Sequence, residues 1–362
     1  MHVKKSLTEE SVCIKVPKNH AETAIVQANK LRLIDHELEI KKDARFVYIP
    51  LLDKPSDTLL QKLKHAVPDL EISTDFFAHR EKHHETLIEL LDDKLPPHLI
   101  ASLPHSADII GDIAILEIPA ELKPHEKTIG DAVLKTHKNV NTVLAKAGPV
   151  GGTYRLREFS VIAGEPKTAT VHKENGCKFY VDVARAYFSP RLSHEHDRVA
   201  RLVNEGETVV DLFAGVGPFA VEIAKKRENV KVYAVDVNPE AIELLKRNTR
   251  LNRVEGKVVP VLGDAREAVS RRLSGVADRV IMNLPEKAIE FVDVACKAIK
   301  PQGGTVHLYG FINAPDSMEG FLKRFEKLVE KCGRELSRTP TARYVRDTAP
   351  YERQVVLDAQ IR

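Results

Sequence analysis

Thr208-Val209-Val210-Asp211-Leu212-Phe213-Ala214-Gly215-Val216-Gly217-Pro218-Phe219 is the stretch on which the rest of the chain is organised. An apolar β-branched run, a glycine turn and an Ala/Ile-rich helical pattern from Pro218 to Arg227 spell the strand-turn-helix opening of a nucleotide-type α/β unit. Gly215 and Gly217 let the backbone approach a ligand closely, and Pro218 suits a first helical turn, whose amides lack internal partners. The next apolar run, Val232-Tyr233-Ala234-Val235, ends in Asp236, 19 residues past Gly217. A carboxylate at that position is placed to accept hydrogen bonds from ribose hydroxyls.

Two features separate this loop from a dinucleotide site. It reads G-x-G-P-F without the third glycine, and an acid, Asp211, ends the first strand. A cationic ligand such as S-adenosylmethionine tolerates an acid where a pyrophosphate is repelled. Downstream, Asn238-Pro239 starts a helix, Val258 to Leu262 is a third strand followed by Gly263-Asp264, and Arg279-Val280-Ile281-Met282 leads into Asn283-Leu284-Pro285-Glu286. Acids and amides thus recur at the C-terminal ends of consecutive parallel strands, where open α/β sheets bind ligands. Asp264 is placed to accept from an adenine amino group, and Asn283 offers donor and acceptor to a planar amide-like edge.

D-x-F-A-G-V-G-P-F, V-D-V-N-P, N-L-P-E and, upstream, F-S-P-R-L-x-x-E with H-K-E-N-G resemble the archaeal and eukaryotic tRNA (guanine-37-N1) methyltransferases. The resemblance runs from about Gly152 to the C terminus and is looser before it. It implies a Rossmann-type class I methyltransferase domain, S-adenosyl-L-methionine as cofactor and tRNA as partner. It also implies residue roles. Glu195 matches the family's general base, Arg155 the arginine that stabilises guanine O6, and Asn283 with Pro285 the guanine-holding motif, while Phe213, Gly215, Gly217, Asp211, Asp236 and Asp264 frame the cofactor. Arg191 positions base or phosphate, and Tyr187 with Phe188 is placed to stack on an extruded base. His196 departs from the arginine expected after Glu195. These residue types suit the chemistry, because guanine N1 must lose a proton while negative charge spreads onto O6.

The bulk properties agree. At 362 residues with 43% hydrophobic content the chain is long enough for two or three domains with real cores. Lys and Arg number 55 against 52 Asp and Glu, so any nucleic-acid surface is a local patch. Cys13, Cys177, Cys296 and Cys332 form no C-x-x-C pair, which indicates neither a zinc site nor a disulfide framework. No apolar run reaches the 18 or so residues of a membrane span, so a cytoplasmic protein is expected, and a monomer is expected beside it.

Residues 1–75 read as a small α/β domain whose Lys30, Arg32, Lys41, Lys42 and Arg45 are available for tRNA contacts. Residues 76–106 read as a linker, with His83-His84 as surface histidines rather than metal ligands. Residues 107–195 read as an α+β domain with strands at Ile109-Ile110, 113–118, 143–147, 153–159, 168–172 and 178–182, and basic residues including Arg157, Lys167, Lys173 and Arg185. Residues 196–362 form the Rossmann-type domain, closed by a glycine turn and strand at 303–309, a helix at 318–331 and an antiparallel strand at 353–359. Arg338, Arg343 and Arg346 read as solvated charge. Two rivals stand beside the methyltransferase: an aminocarboxypropyltransferase of wybutosine synthesis, and a tRNA-binding protein with a vestigial pocket. Methylation of wyosine-type intermediates at the same position is a further variant.

Overall fold

The computed structural model describes residues 8–67, 69–79, 86–104, 106–148 and 151–362. His83-His84 lie outside the described residues. The chain divides into two compact units, one ending at Glu89 and the other Leu90–Arg362.

In the first unit four antiparallel strands, β1 (Thr8–Pro17), β2 (Lys41–Lys42), β3 (Phe46–Pro50) and β4 (Glu71–Ala78), pair in the order β2-β3-β1-β4. Helices Ala21–Lys30 and Asp57–Ala66 contribute Ala24, Ala28 and Leu63 to a core with Ile14, Val16 and Ile49. β4 runs beyond residue 75, into the stretch read as linker. Its outer half pairs with Thr8–Glu10, and Phe77 is buried with Cys13 and Leu38.

The second unit opens with the mixed sheet β5-β6-β7-β8: β5 (Asp108–Ile110), β6 (Ile113–Leu116), β7 (Thr142–Lys146) and β8 (Phe159–Gly164). Helix Glu126–Thr136 packs on it through Ile129, Ala132 and Val133, and Gly130 has no room for a side chain, since a Cβ there sits 2.9 Å from the Ala163 Cβ. Of residues 153–159, expected as a strand, those up to Arg155 instead lie in a turn closed by a Gly151–Leu156 bridge, with Arg155 at φ 55°. The Gly151-Gly152 pair turns the chain before the Tyr154/Leu156 alternation can extend, and strand pairing with β7 begins at Phe159. Hairpin β9 (Ala169–Glu174) and β10 (Cys177–Asp182) follows.

The large sheet has the order β13-β12-β11-β14-β15-β17-β16, with β11 (Thr208–Asp211), β12 (Lys231–Asp236), β13 (Val258–Leu262), β14 (Arg279–Met282) and β15 (Gly304–Asn313) parallel. β17 (Glu352–Ile361) and β16 (Thr341–Ala349) add antiparallel. Strand order reverses at β11 and β14, the switch point where such sheets open a crevice at their C-terminal ends. The hydrophobic runs of β11, β12 and β14 are buried on both faces, with helices Pro218–Lys226 and Pro239–Asn252 on one side and Val292–Ala298 and Met318–Lys331 on the other. β16 was not read from the sequence. No helix of the described residues is long and apolar enough to cross a membrane.

Candidate active site

At the switch point lies a cavity of about 590 Å³, the size of a cofactor pocket. Phe213, Gly215, Asp236, Asp264, Asn283 and Pro285 line it from the large sheet, and Arg155, Tyr187 and Leu192 from the segments before it. Eight of the 25 lining residues are among the site residues singled out from the sequence.

The glycine loop shapes the floor. Gly215 stands at φ 55°, and its amide donates to the Asp236 carboxylate at 2.7 Å, while the Asn238 amide donates to the other oxygen at 2.9 Å. Burial raises the Asp236 carboxyl despite these amides. Gly217, at φ 90°, caps helix Pro218–Lys226 outside the wall, and a Cβ there would sit 2.1 Å from Leu245 Cδ1. Its glycine therefore serves packing. Asp264 caps helix Ala265–Ala268, accepting from the Arg266 amide at 2.8 Å, and Phe213 meets Phe291 edge-on at 5.1 Å.

Asp211 is wholly buried beneath the loop rather than in the wall; one oxygen takes the Phe213 amide at 3.3 Å and the other has no partner. Burial pushes its carboxyl up to about 7, and Asp236 adds to the shift. The folded value exceeds the ordinary one, near 4, so its stabilising contribution is full below about pH 4 and is lost as pH rises through about 7. Asp211→Asn is therefore expected to raise the melting temperature of the ligand-free protein at pH 8, with the gain shrinking towards pH 5. It should also weaken S-adenosylmethionine binding roughly tenfold, the scale of one partly screened charge pair. Melting curves across pH, with calorimetric titration of the cofactor, check both; a gap constant with pH would sink the burial argument.

Two polar atoms in the wall lack partners: Asn283 Oδ1 and Arg155 Nη1 are buried with no hydrogen bond. Arg155 is otherwise held by Glu286, with Nη2 to Oε1 at 3.0 Å, and its guanidinium lies 5.5 Å over the Tyr187 ring. Glu286 belongs to the N-L-P-E motif but was given no role from the sequence. Orphaned polar atoms, two carboxylates and an aromatic pair fit an adenosine with a cationic tail, the donor set that S-adenosylmethionine needs.

Glu195 and Arg191 lie elsewhere. Arg191 pairs with Asp108 and lines an adjoining cavity of about 280 Å³ with Lys146, Arg157 and Phe188. Arg155, Tyr187, Phe311 and Arg346 border both cavities. Glu195, on helix Ser193–Leu202, is 2% exposed and outside both walls. Its carboxylate accepts from Tyr309 Oη at 2.9 Å, from Arg198 at 3.1 and 3.2 Å, and from Arg343. Burial acts to raise its pKa, but the Arg343 hydrogen bond and the Arg198 charge outweigh it, so the carboxyl is lowered and stays ionised. Arg198 continues to Asp358 at 2.6 Å, which holds His307 Nδ1, and His307 Nε2 meets Arg279 at 2.7 Å. Arg343 is thus no solvated charge: β16 delivers it to Glu195. Arg346 likewise reaches the cavity, donating to Gln354 at 2.8 Å.

Fold and cavity together define a class I, S-adenosylmethionine-dependent methyltransferase. Family models match along the chain: the TRM5/TYW2 methyltransferase domain at residues 170–337, the TYW2 N-terminal domain at 87–168 and the tRNA methyltransferase 5 N-terminal domain at 13–59. The tRNA (guanine(37)-N(1))-methyltransferase Trm5b of Pyrococcus abyssi is 39% identical over 97% of this chain and 99% of its own length. The crystal structure of Trm5b from Pyrococcus abyssi superposes with a TM-score of 0.74 at 37% identity, covering 97% of this chain and 99% of the other. A structure titled as aTrm5 in complex with tRNALeu gives 0.73 at 33% identity, covering 97% and 100%. The chain belongs to the Trm5 family of tRNA methyltransferases, and its cofactor is S-adenosylmethionine.

Proposed function

We propose that this enzyme methylates N1 of guanosine 37 in tRNA, with Glu195 as general base, Arg155 at O6 and Asn283 orienting the guanine. One observation carries the reading: Asn283 and Arg155, each with a buried polar atom that has no partner, line the same cavity as Asp236 and Asp264. The bound cofactor supplies an electrophilic methyl group. Asn283 accepts from the guanine edge and fixes its plane. Arg155 neutralises the charge that grows on O6 as N1 is deprotonated. Glu195 takes the N1 proton, and the freed N1 electron pair would form the new N–C bond as the methyl–sulfur bond breaks and its electrons stay on sulfur, leaving a neutral thioether, with no covalent enzyme intermediate.

In the state described, Glu195 is held by Arg343, so this role requires that grip to loosen when tRNA seats. Leu192, in the turn leading into the same helix, already lines the cavity. The adjoining cavity, with Lys146, Arg155, Arg157, Arg191 and Arg346 in its wall, suits the nucleotide backbone beside an extruded base. The first unit, where Lys30, Arg32, Lys41, Lys42 and Arg45 are exposed, is assigned to gripping the tRNA away from the modified base.

Incubating the enzyme with labelled S-adenosylmethionine and transcripts carrying guanosine or adenosine at position 37 tests the reading by nucleoside mass spectrometry. N1-methylguanosine that requires guanosine at that site is expected. An aminocarboxypropyl product would move the chain to the wybutosine sister activity, methylation confined to wyosine-type intermediates would change the substrate, and no turnover would favour a binding protein.

A further inference from the structure

The H-K-E-N-G stretch, which the reaction leaves unused, closes the β9–β10 hairpin. Asn175 and Gly176 stand at φ 47° and 77°, the two left-handed positions of a tight hairpin turn. The hairpin presents Glu174 to His196, on the helix that carries Glu195, and to Glu222, on the helix that follows the glycine loop. Glu174, His196 and Glu222 are 8%, 2% and 0% exposed, and one ligand atom from each lies within 4.8 Å of the others. It is the one such cluster among the described residues.

These groups are under-satisfied as they stand. His196 Nδ1 meets Glu174 Oε1 at 2.9 Å, but Glu174 Oε2 and Glu222 Oε2 are buried without a hydrogen-bond partner. Two carboxylates side by side in an apolar interior repel; His196 and His172 both face Glu174, and among the described residues Glu222 has no cation of this kind paired with it. A divalent cation would cancel both charges and use both free oxygens.

We propose that Glu174, His196 and Glu222 form a binding site for one divalent transition-metal ion of the zinc or manganese class. One imidazole nitrogen with carboxylate oxygens is a donor set these ions accept. Surrounding groups are arranged as supports for such ligands. Asn175 Nδ2 donates to Glu222 Oε1 at 3.0 Å and to the Ser193 carbonyl at 2.9 Å. The Gly111 amide donates to His172 Nδ1 at 3.2 Å, which leaves the His172 proton on Nε2, 3.6 Å from Glu174 Oε2. The ion would pin the Glu195 helix to the glycine-loop helix and the hairpin, in place of the arginine expected at position 196. The competing occupant is a proton on Glu222, whose carboxyl burial pushes up to about 8.

The test uses the full chain, stripped with chelator and then loaded with Co²⁺ or Zn²⁺. After gel filtration, about one metal per chain is expected by mass spectrometry. The Co²⁺ form should show ligand-field bands without thiolate charge transfer, and Zn²⁺ should raise the melting temperature until chelator is added. Glu222→Gln and His196→Arg should each weaken retention at least about tenfold, while Cys332→Ser retains the metal. If the reloaded parent chain retains no metal after gel filtration, the occupant is a proton and the proposal fails. It fails equally if thiolate bands appear or if both variants load like the parent. The parent stoichiometry and spectrum decide the matter even if a variant does not fold.

Discussion

Replacing Glu195 with glutamine should slow single-turnover methyl transfer by about 10²–10⁴-fold, the usual contribution of a positioned general base, while S-adenosylmethionine binds as in the parent. Glutamine keeps the shape and can still accept from Tyr309, but it cannot take a proton from N1. The cofactor should be indifferent because Glu195 is outside its cavity. Stability will respond as well: the carboxylate compensates Arg343 and, with Asp358, Arg198, and losing one member of a buried ion pair costs about 3–5 kcal/mol. Rates should therefore be read well below the variant's melting temperature and normalised to cofactor-binding sites. The pH profile adds a second reading. Arg343 and Arg198 hold Glu195 below the ordinary carboxylate range in the tRNA-free enzyme, so a single-turnover rate that falls as pH drops from 7 to 5 would show that Arg343 has released the carboxylate in the reacting complex. A glutamine variant that transfers methyl at the parent rate would place the base elsewhere; loss of cofactor binding would mark Glu195 as structural.

Local pattern carried most of the large sheet. Strand-turn-helix periodicity around Gly215 and Gly217, and acids or amides at strand ends, are short-range features, and Phe213, Gly215, Asp236, Asp264 and Asn283 of the cavity wall belong to them. What escaped was long-range. The T-A-R-Y-V-R-D-T-A of β16 is an edge strand with polar residues on much of its length, so its alternation looks like solvated loop, and nothing local ties Arg343 to a carboxylate 148 residues earlier in the chain. Tyr309 entered the sequence reading only as the end of a strand, whereas its hydroxyl is spent on Glu195. The turn at Arg155 was mistaken for a strand because Tyr154 and Leu156 alternate with arginines, and the Gly151-Gly152 pair ahead of them was the overlooked signal. The Glu174–His196–Glu222 cluster unites three elements that meet only in the folded chain, and its histidine entered the sequence reading only as a departure from arginine.

Arg155→Ala is expected to lower methyl transfer by about 10²–10³-fold, the cost of removing one preorganised donor from a developing oxyanion. The effect should fall on the chemical step, since Arg155 is separated by role from the carboxylates that face the cofactor. The geometry prepares it for this. Arg155 sits in a left-handed turn in the cavity wall, Glu286 and Tyr187 fix its guanidinium, and Nη1 is left without a partner. Lysine should rescue poorly, because a point charge on a flexible stem reproduces neither the fork nor the stacking on Tyr187. Glu286→Gln separates the arginine from its ion pair. Glu286 is half-exposed, and exposed pairs contribute about 0–1 kcal/mol, so transfer in that variant should stay within roughly fivefold of the parent. Single-turnover rates for the three variants at saturating cofactor decide between the readings. A fall in Glu286→Gln equal to that in Arg155→Ala would make the pair, rather than the free Nη1, the functional unit, and guanine would then be met by a carboxylate as well as a cation.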